Sequence, residues 1–404
     1  EDNFNFLSKM CLATMRRAAC DMIGSARRAG ARVISAGPDV SDAPGPYLRA
    51  GANLALIGEG LSTLLELLPR MDSHLTMSDA ELARGLSGIA SLSGGKLVKA
   101  SGGKGVALAD AAGLAAWDLV DMDRYRAVWM KAHGYFSLNM AASRGCSFRC
   151  TWCAKPIWGN QYLQRNPLEV AAEMAHLKHA FEPDHIWFAD DIFGFRVEWV
   201  DQFAAATKAA DAQIPFSIQT RADLISVRMA RALRDAGCQE AWIGAESGSQ
   251  KILDSMNKGT TVSEILTARE RLRAVGIRVG FFIQLGYIDE QLEDILATRD
   301  LLTAGQPDEI GVSVSYPLPG TKFYDLVKAQ LRAKTHWYES NDLDMMFQGT
   351  YTSDFYRAIR DLLHAQISRQ TSGTADLMLE DQWRKLLAAE KQYRSQAVES
   401  LATG

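Results

Sequence analysis

The chain reads as an α/β protein: a partial parallel barrel of six strand–helix units, preceded by a shorter doubly wound segment and followed by a helical tail. Three observations predict this. Strand-like and helical runs alternate six times between residues 135 and 330. The same alternation, with glycines at the strand ends, occupies residues 1–70. Beyond residue 330 it stops, and aromatic and then polar helical sequence takes over.

The first segment opens on a helical stretch, Leu7–Ala29, closed by Gly30, which suits the left-handed turn that ends helices. A short strand, Arg32–Ser35, leads into Ala36-Gly37-Pro38-Asp39. A second, Leu54–Ile57, leads into Gly58-Glu59-Gly60, with a helix from Ser62. In a parallel sheet both glycine turns fall at the carboxyl ends of the strands, where ligands bind. The chain starts at Glu1 in what reads like the middle of a domain, so further sequence is expected upstream. Residues 71–134 read as a linker: a helical patch at Ser78–Ile89, then a Gly/Ser/Lys-rich stretch, Ser91–Gly105, expected to be flexible.

Between residues 135 and 330 the predicted strands are Ser137–Ser143, His185–Ala189, Pro215–Thr220, Glu240–Gly244, Ile277–Leu285 and Ile310–Tyr316. The helices between them are Leu168–Ala180, Glu198–Ala210, Val227–Ala236, Val262–Val275 and Glu290–Thr303. Asn166-Pro167 and Ser226 supply N-cap chemistry, and Gly237 and Gly276 supply C-terminal stops. Six units fall short of the eight that close a full barrel; chemistry is expected at the strands' C-terminal ends either way. In residues 331–404, Thr335–Tyr356 gathers Trp337, Tyr338, Met345, Met346, Phe347, Tyr351, Phe355 and Tyr356. This set either covers the barrel mouth or packs on its flank. The tail from Ser368 reads as a surface helix.

At 404 residues, with 47% hydrophobic and 23% charged residues, the chain has the composition of a globular protein large enough for two domains. A net charge of −4 gives no basis for nucleic acid or an anionic membrane as the main partner. No apolar run has the length of a membrane span, and no charged-then-apolar leader is visible, so a cytoplasmic location is expected. Of the six cysteines, Cys11, Cys20 and Cys238 sit singly in surroundings expected of buried thiols.

The other three fall together in Ser143-Arg144-Gly145-Cys146-Ser147-Phe148-Arg149-Cys150-Thr151-Trp152-Cys153. Thiolates at this spacing can grip three irons of a cubane cluster and leave the fourth iron open to a chelating substrate. A structural zinc site wants four closed ligands, usually in pairs, and His133, His176 and His179 are distant in sequence or on a helix. A dithiol redox site would use Cys150 and Cys153 and leave Cys146 unexplained.

This CxxxCxxC pattern, with Trp152 before the last cysteine, resembles the radical S-adenosylmethionine (SAM) superfamily over about residues 135–330. The resemblance implies a 4Fe–4S cluster on Cys146, Cys150 and Cys153. SAM chelates its open iron and is reductively cleaved to a 5′-deoxyadenosyl radical that abstracts a substrate hydrogen. It also implies roles for the strand ends. Trp152 would lie beside the adenine, or simply pack. Asp190, in Asp190-Asp191, would accept from SAM's ammonium, with helix capping as the plainer role of the pair. Gln219 and Arg221 end the third strand, with Arg221 on the SAM carboxylate. Glu246-Ser247-Gly248 resembles the family's ESG turn near the ribose and methionine parts. Gln284 and Gly286 end the fifth strand in a stretch that resembles the family's glycine-containing adenine-binding strand, and Pro317-Leu318-Pro319-Gly320-Thr321 resembles the P-PGT turn.

Residues 1–70 carry a narrower resemblance, to the back half of a Rossmann-like cobalamin-binding domain, through Ser35, Gly37, Pro38, Gly58 and Glu59, followed by Thr63 and Leu64. Ala116–Asp121 resembles the linker that precedes the barrel in such proteins. Small residues at strand ends let the backbone approach a flat corrin, though a ligand-free turn would look the same. Together these features resemble class B radical SAM methyltransferases and the anaerobic Mg-protoporphyrin monomethyl ester cyclase. They imply an anaerobic C-methyltransferase using cluster, SAM and cobalamin on a small-molecule substrate, with flavodoxin or ferredoxin as electron donor. Radical cyclisation or rearrangement would share every residue named, and a non-catalytic corrinoid or iron–sulfur carrier is a further alternative. Methylthio transfer is disfavoured, because such relatives carry a second cysteine trio that Cys11 and Cys20 do not make.

Overall fold

The computed structural model describes residues 8–58, 60–73, 78–100, 116–154, 161–331, 343–372 and 377–395. The chain divides into two compact units: Glu1–Leu108 with Lys155–Asn160, and Ala109–Ala154 with Gln161–Gly404.

In the first unit, helix Ser8–Arg28 precedes β1 (Ile34–Ser35) and β2 (Leu54–Leu56), which pair in parallel with Ser35 opposite Ala55. The stretch expected to be a flexible linker is instead structured over its first half. β3 (Ile89–Ser93) and β4 (Lys96–Lys99) form an antiparallel hairpin that extends the sheet in the order β1-β2-β3-β4. The turn is Gly94-Gly95, with φ of 56° and 80°, the left-handed pair that two-residue hairpins require. Glycine-rich composition hid this turn chemistry in the sequence, and the first unit extends past residue 70. Residues 101–115 lie outside the described residues. Apolar groups cover both faces of the small sheet: Ile23, Tyr47, Leu48 and Ala55 on one, and Leu54, Leu56, Leu67, Leu82 and Ile89 on the other.

In the second unit, helix Met122–His133 precedes β5 (Ser137–Met140), β6 (Ser143–Arg144) and β7 (Leu163–Gln164). Then come β8 (His185–Phe188), β9 (Phe216–Thr220), β10 (Cys238–Glu246), β11 (Arg278–Leu285) and β12 (Glu309–Val314). β5 and β8–β12 make one six-stranded parallel sheet in the order β12-β11-β10-β9-β8-β5, while β6 and β7 form a separate antiparallel ribbon. Helices Pro167–Phe181, Val197–Ala209, Val227–Ala236, Val262–Ala274 and Leu292–Gly305 fill the crossovers where the periodicity placed them. Asn166 Oδ1 accepts from the Leu168 amide, and Ser226 Oγ from that of Met229, as N-caps do.

The sheet's two faces differ. Ile186, Phe188, Phe216, Ile218, Ala241, Ile243, Val279 and Phe281 are fully buried in the main core. The alternate positions Trp187, Gln219, Trp242, Gly244, Phe282, Gly311 and Ser313 are only half-buried. They form the interior face of an open partial barrel.

The C-terminal tail is more than a surface helix. Helix Ser353–Ser372 packs on β12, and helix Leu377–Ala388 buries Leu379 and Trp383 in the same core. Its apolar residues were too few to stand out against polar neighbours. Of the aromatic segment, Trp337 and Tyr338 lie outside the described residues, whereas Met346, Phe347, Tyr351, Phe355 and Tyr356 are buried side chains. That part packs as core.

Candidate active site

The cysteine loop leaves β6 through Gly145, at φ 77°. A Cβ there would lie 2.3 Å from the Gln161 carbonyl oxygen, so only glycine allows the two chain segments to pass. Thr151 then anchors the loop: its amide and Oγ1 both donate to the Met256 carbonyl (2.9 and 3.1 Å), and Oγ1 meets Tyr287 Oη at 2.6 Å. The Phe323 amide donates to the Thr151 carbonyl (3.0 Å), and Asn257 Nδ2 to that of Arg149 (3.0 Å). These bonds tie the loop to the chain following β10, β11 and β12, at the strands' carboxyl ends.

Cys146 is buried, Cys150 and Cys153 are half-buried, and none is in a disulfide. Burial pushes the Cys146 thiol up. Among the described residues no three His, Cys, Asp or Glu side chains are already gathered at metal-ligand spacing, so the loop presents separate thiols and not a preformed cage. The donor set fits an iron–sulfur cluster on other grounds. It consists of sulfurs alone, and cationic groups face Cys150 and oppose the charge of a thiolate.

Arg221, 4% exposed, is one of those cations. Its Nε and Nη2 fork onto Asp223 (2.9 and 3.1 Å), Nη2 also donates to the Lys258 carbonyl (2.7 Å), and Nη1 donates to Cys150 Sγ (3.9 Å). Its guanidinium carbon lies 3.6 Å over the Phe148 ring. Lys258 is the other cation. Its ammonium donates to Glu246 Oε1 at 2.7 Å, with both side chains buried. Burial alone would lower the Lys258 ammonium, but Glu246 and Cys150 hold it above its ordinary value. Gly244 leaves room for this pair, because a Cβ there would meet Glu246 Oε1 and Lys258 Nζ, each at 2.6 Å. Glu246 itself adopts a left-handed φ of 61°, uncommon for a residue with a side chain.

Lys258 and Thr151 are functional candidates that the sequence reading missed. A local signal for Lys258 exists: it sits between Asn257 (φ 51°) and Gly259 (φ 67°), a turn composition directly after a short helix, Gln250–Ser255.

The other sequence-derived positions gather at the same strand ends, with varied surroundings. Asp190 is 2% exposed; its carboxylate accepts from the Ala142 amide (3.0 Å) and the Ser143 hydroxyl, holding the strand that enters the cysteine loop. Burial raises its carboxyl to about 7. Ser247 Oγ contacts Thr298 Oγ1 at 3.2 Å, and the neighbouring Gly248 is needed for packing, since a Cβ would sit 2.1 Å from the Ala297 carbonyl. Trp152 is partly buried against the apolar cluster that contains Met256, Tyr287, Phe323 and Phe347. Gln219 is half-buried on the interior face, opposite Trp242. Gln284 Oε1 is buried without a hydrogen-bond partner, as is Ser315 Oγ, which leaves acceptor and donor capacity inside the mouth. Pro317 is buried ahead of Thr321, whose hydroxyl caps helix Lys322–Val327.

In the first unit, Gly37 (φ 123°) and Gly58 (φ 82°) follow the adjacent strands β1 and β2 and are joined through one hydroxyl. Ser41 Oγ donates to the Gly37 carbonyl (2.8 Å) and accepts from the Gly58 amide (2.9 Å). Ser35 is buried, and Pro38 starts helix Pro38–Asp42. The Asp39 carboxylate in that helix accepts from the Arg16 guanidinium and the Tyr47 hydroxyl. Glu59 lies outside the described residues. Two backbone turns of this kind, side by side and without bulky side chains, fit a flat ligand's approach.

Known proteins resemble this chain in sequence and in fold. Residues 140–302 match the family profile of the radical SAM superfamily. It is 25% identical over 317 residues to an uncharacterised methyltransferase of Pyrococcus horikoshii, covering 77% of this chain and 66% of that protein. To the anaerobic magnesium-protoporphyrin IX monomethyl ester cyclase of Cereibacter sphaeroides it is 24% identical, covering 68% and 44%. The fold is shared with the radical SAM methyltransferase TsrM of Kitasatospora setae, with a TM-score of 0.64 at 18% identity over 78% of this chain and 62% of that one. It is also shared with the cobalamin-dependent radical SAM enzyme OxsB, at 0.63 and 17% identity over 92% and 60%. The chain thus spans less than two thirds of the length of each of these proteins. Among the described residues no helix is long and apolar enough to cross a membrane.

Proposed function

Proceeding from the radical SAM domain, we propose that this chain is the core of a cobalamin-dependent radical SAM enzyme that methylates an unactivated carbon of a small molecule. The observation that carries the proposal is the three-cysteine loop, stapled through Thr151 and Arg149 to the carboxyl ends of the parallel strands beside an Arg and a Lys. Cys146, Cys150 and Cys153 would hold a 4Fe–4S cluster, and Ser35, Gly37, Pro38, Gly58 and Glu59 would receive cobalamin. When bound, the cluster supplies the electron that cleaves SAM, and cobalamin supplies the methyl carrier.

The protein's own part is binding, orientation and exclusion of water. Glu246 and Lys258, a buried carboxylate–ammonium pair, match the two charges of SAM's amino-acid end and can exchange their mutual bond for bonds to it. Gln284, with its unpartnered buried oxygen, suits the exocyclic amine of adenine, and Trp152 suits its face. Asp190 acts one step back, fixing the entry to the loop. The half-buried Trp187, Trp242 and Phe282 offer the substrate an apolar wall, with Gln219 as a polar contact on the same face. Tyr356, buried against Gly286 just after β11, and Phe347, buried against Phe323, would exclude water there. A flavodoxin- or ferredoxin-type protein would deliver the electron. The relatives' names support methyl transfer and ring formation alike.

The test is anaerobic reconstitution followed by turnover. Expected are about four irons per chain, release of 5′-deoxyadenosine from SAM under reducing conditions, and an added methyl in the product by mass spectrometry when methylcobalamin is present. Stoichiometric zinc without iron in anaerobically purified protein would overturn the proposal. A product lacking the methyl but changed in connectivity would move it to cyclisation.

A further inference from the structure

Resting on the cluster reading above, we infer that Arg221 is a positioning residue for the cluster: it clamps the cysteine loop and raises the cluster's reduction potential through its N–H···S contact with Cys150, and does not serve as a ligand of the SAM carboxylate. Sequence position alone favours the SAM role, since Arg221 directly follows β9. Its partners in the fold point elsewhere.

A guanidinium has five N–H groups in a rigid fork. Here four hydrogen bonds already run to protein acceptors: two to Asp223, one to the Lys258 carbonyl and one to Cys150 Sγ. The planar face is also in use, 3.6 Å above the Phe148 ring, which lies between the first two cysteines. Arg221 therefore grips the loop at two points, Phe148 and Cys150, while Asp223 and the 257–259 turn hold it from behind. At 4% exposure it cannot swing toward a new anion without breaking the Asp223 fork.

The electrostatic consequence follows from where Nη1 ends. A hydrogen bond to a ligating sulfur draws charge from it, and a nearby buried cation favours the more negative, reduced cluster over the oxidised one. Water screens this weakly at such burial. Lys258 adds a second cation on the same side, but its ammonium is committed to Glu246, so only Arg221 reaches the sulfur by a hydrogen bond.

The experiment uses the full chain, reconstituted anaerobically, as wild type, Arg221→Gln and Arg221→Lys. Iron content is measured first. A redox titration followed by electron paramagnetic resonance then gives the midpoint, and anaerobic equilibrium dialysis gives the SAM affinity. In the Gln variant the midpoint is expected to move negative, so that the reduced-to-oxidised ratio at the wild-type midpoint falls about tenfold. The SAM Kd is expected to stay within about threefold of wild type. The Lys variant keeps the charge but lacks the fork and stack, and should fall between the two. An unchanged midpoint in both variants overturns the inference. So does a Kd that rises more than about tenfold while the midpoint holds. If the Gln variant takes up no iron, the Lys variant decides by the same two readings. A wild type without iron instead overturns the cluster reading itself.

Discussion

On its helix-packed face the six-stranded sheet presents Ile186, Phe216, Ile218, Ile243, Val279 and Phe281, all at 0% exposure. On the opposite face the same strands present Trp187, Gln219, Trp242, Gly244, Phe282, Gly311 and Ser313, none of them fully buried. A closed eight-stranded barrel fills its interior with branched aliphatic layers. Here glycines thin the wall and aromatic rings lie flat against it: Trp242 leans over Gly280 on the next strand, and its ring stacks on Phe282 at 4.8 Å. One face is thus built to hold the fold, and the other to leave room. Charged residues concentrate where the second face meets the strand ends, at Arg221, Glu246 and Lys258.

If that division holds, changes on the two faces should separate cleanly. Cys150→Ala, at the open end, is expected to lower SAM cleavage about a thousandfold or more, to background, while the thermal midpoint stays near wild type. Phe216→Ala, on the packed face, should do the reverse. Its ring contacts Phe188 at 5.1 Å and Phe193 at 5.8 Å in the main core, so truncation should cost about 3–5 kcal/mol by urea denaturation. Activity per folded molecule should not change. A large activity loss in Phe216→Ala under folding conditions would mean that the two faces are not separate in role.

Lys258→Met tests the buried pair, which is part of the packed structure and, under the proposed function, a contact for SAM. Leaving Glu246 charged and alone should cost about 3 kcal/mol and weaken SAM binding about tenfold. Adding Glu246→Gln should restore much of the stability and none of the affinity; recovery of both would mean that the pair is purely structural. Gly280→Ala should cost about 1–3 kcal/mol, since its Cβ would come within 2.5 Å of the Trp242 ring, and should shift tryptophan fluorescence as that ring is displaced.

A separate expectation concerns pH dependence. Burial raises the Glu290 carboxyl to about 8, while Oε2 accepts from the Gly286 amide at 2.7 Å. The folded state therefore holds this proton more tightly than the unfolded chain, whose carboxyl titrates near 4.5. Stability from this group is complete below that value and declines as pH rises through about 8. Glu290→Gln should flatten the decline in urea midpoint between about pH 5 and 8. An unchanged slope would place the pH dependence elsewhere, with Asp190, raised to about 7, as the next group to replace.

The strand–helix alternation, its caps and the cysteine loop are legible in the sequence. These depend on neighbours a few residues apart: apolar spacing, Asn166 and Ser226 at helix starts, Gly237 at a helix end, and three thiols within eight residues. The Gly94-Gly95 hairpin was equally local and legible, but glycine-rich composition argued for a linker and outweighed the turn chemistry. The partners of charges brought together across the fold are visible only in three dimensions. Lys258 meets Glu246 twelve residues away, Arg221 meets Cys150 seventy-one residues away, and Asp190 meets Ser143 forty-seven residues away. No spacing rule reaches those distances. Arg221 and Asp190 follow β9 and β8 at the edge where the cysteine loop lies, and Lys258 returns to Glu246 because the chain after β10 turns back on that strand's end; burial there obliges every charge to find an opposite charge or a hydrogen bond.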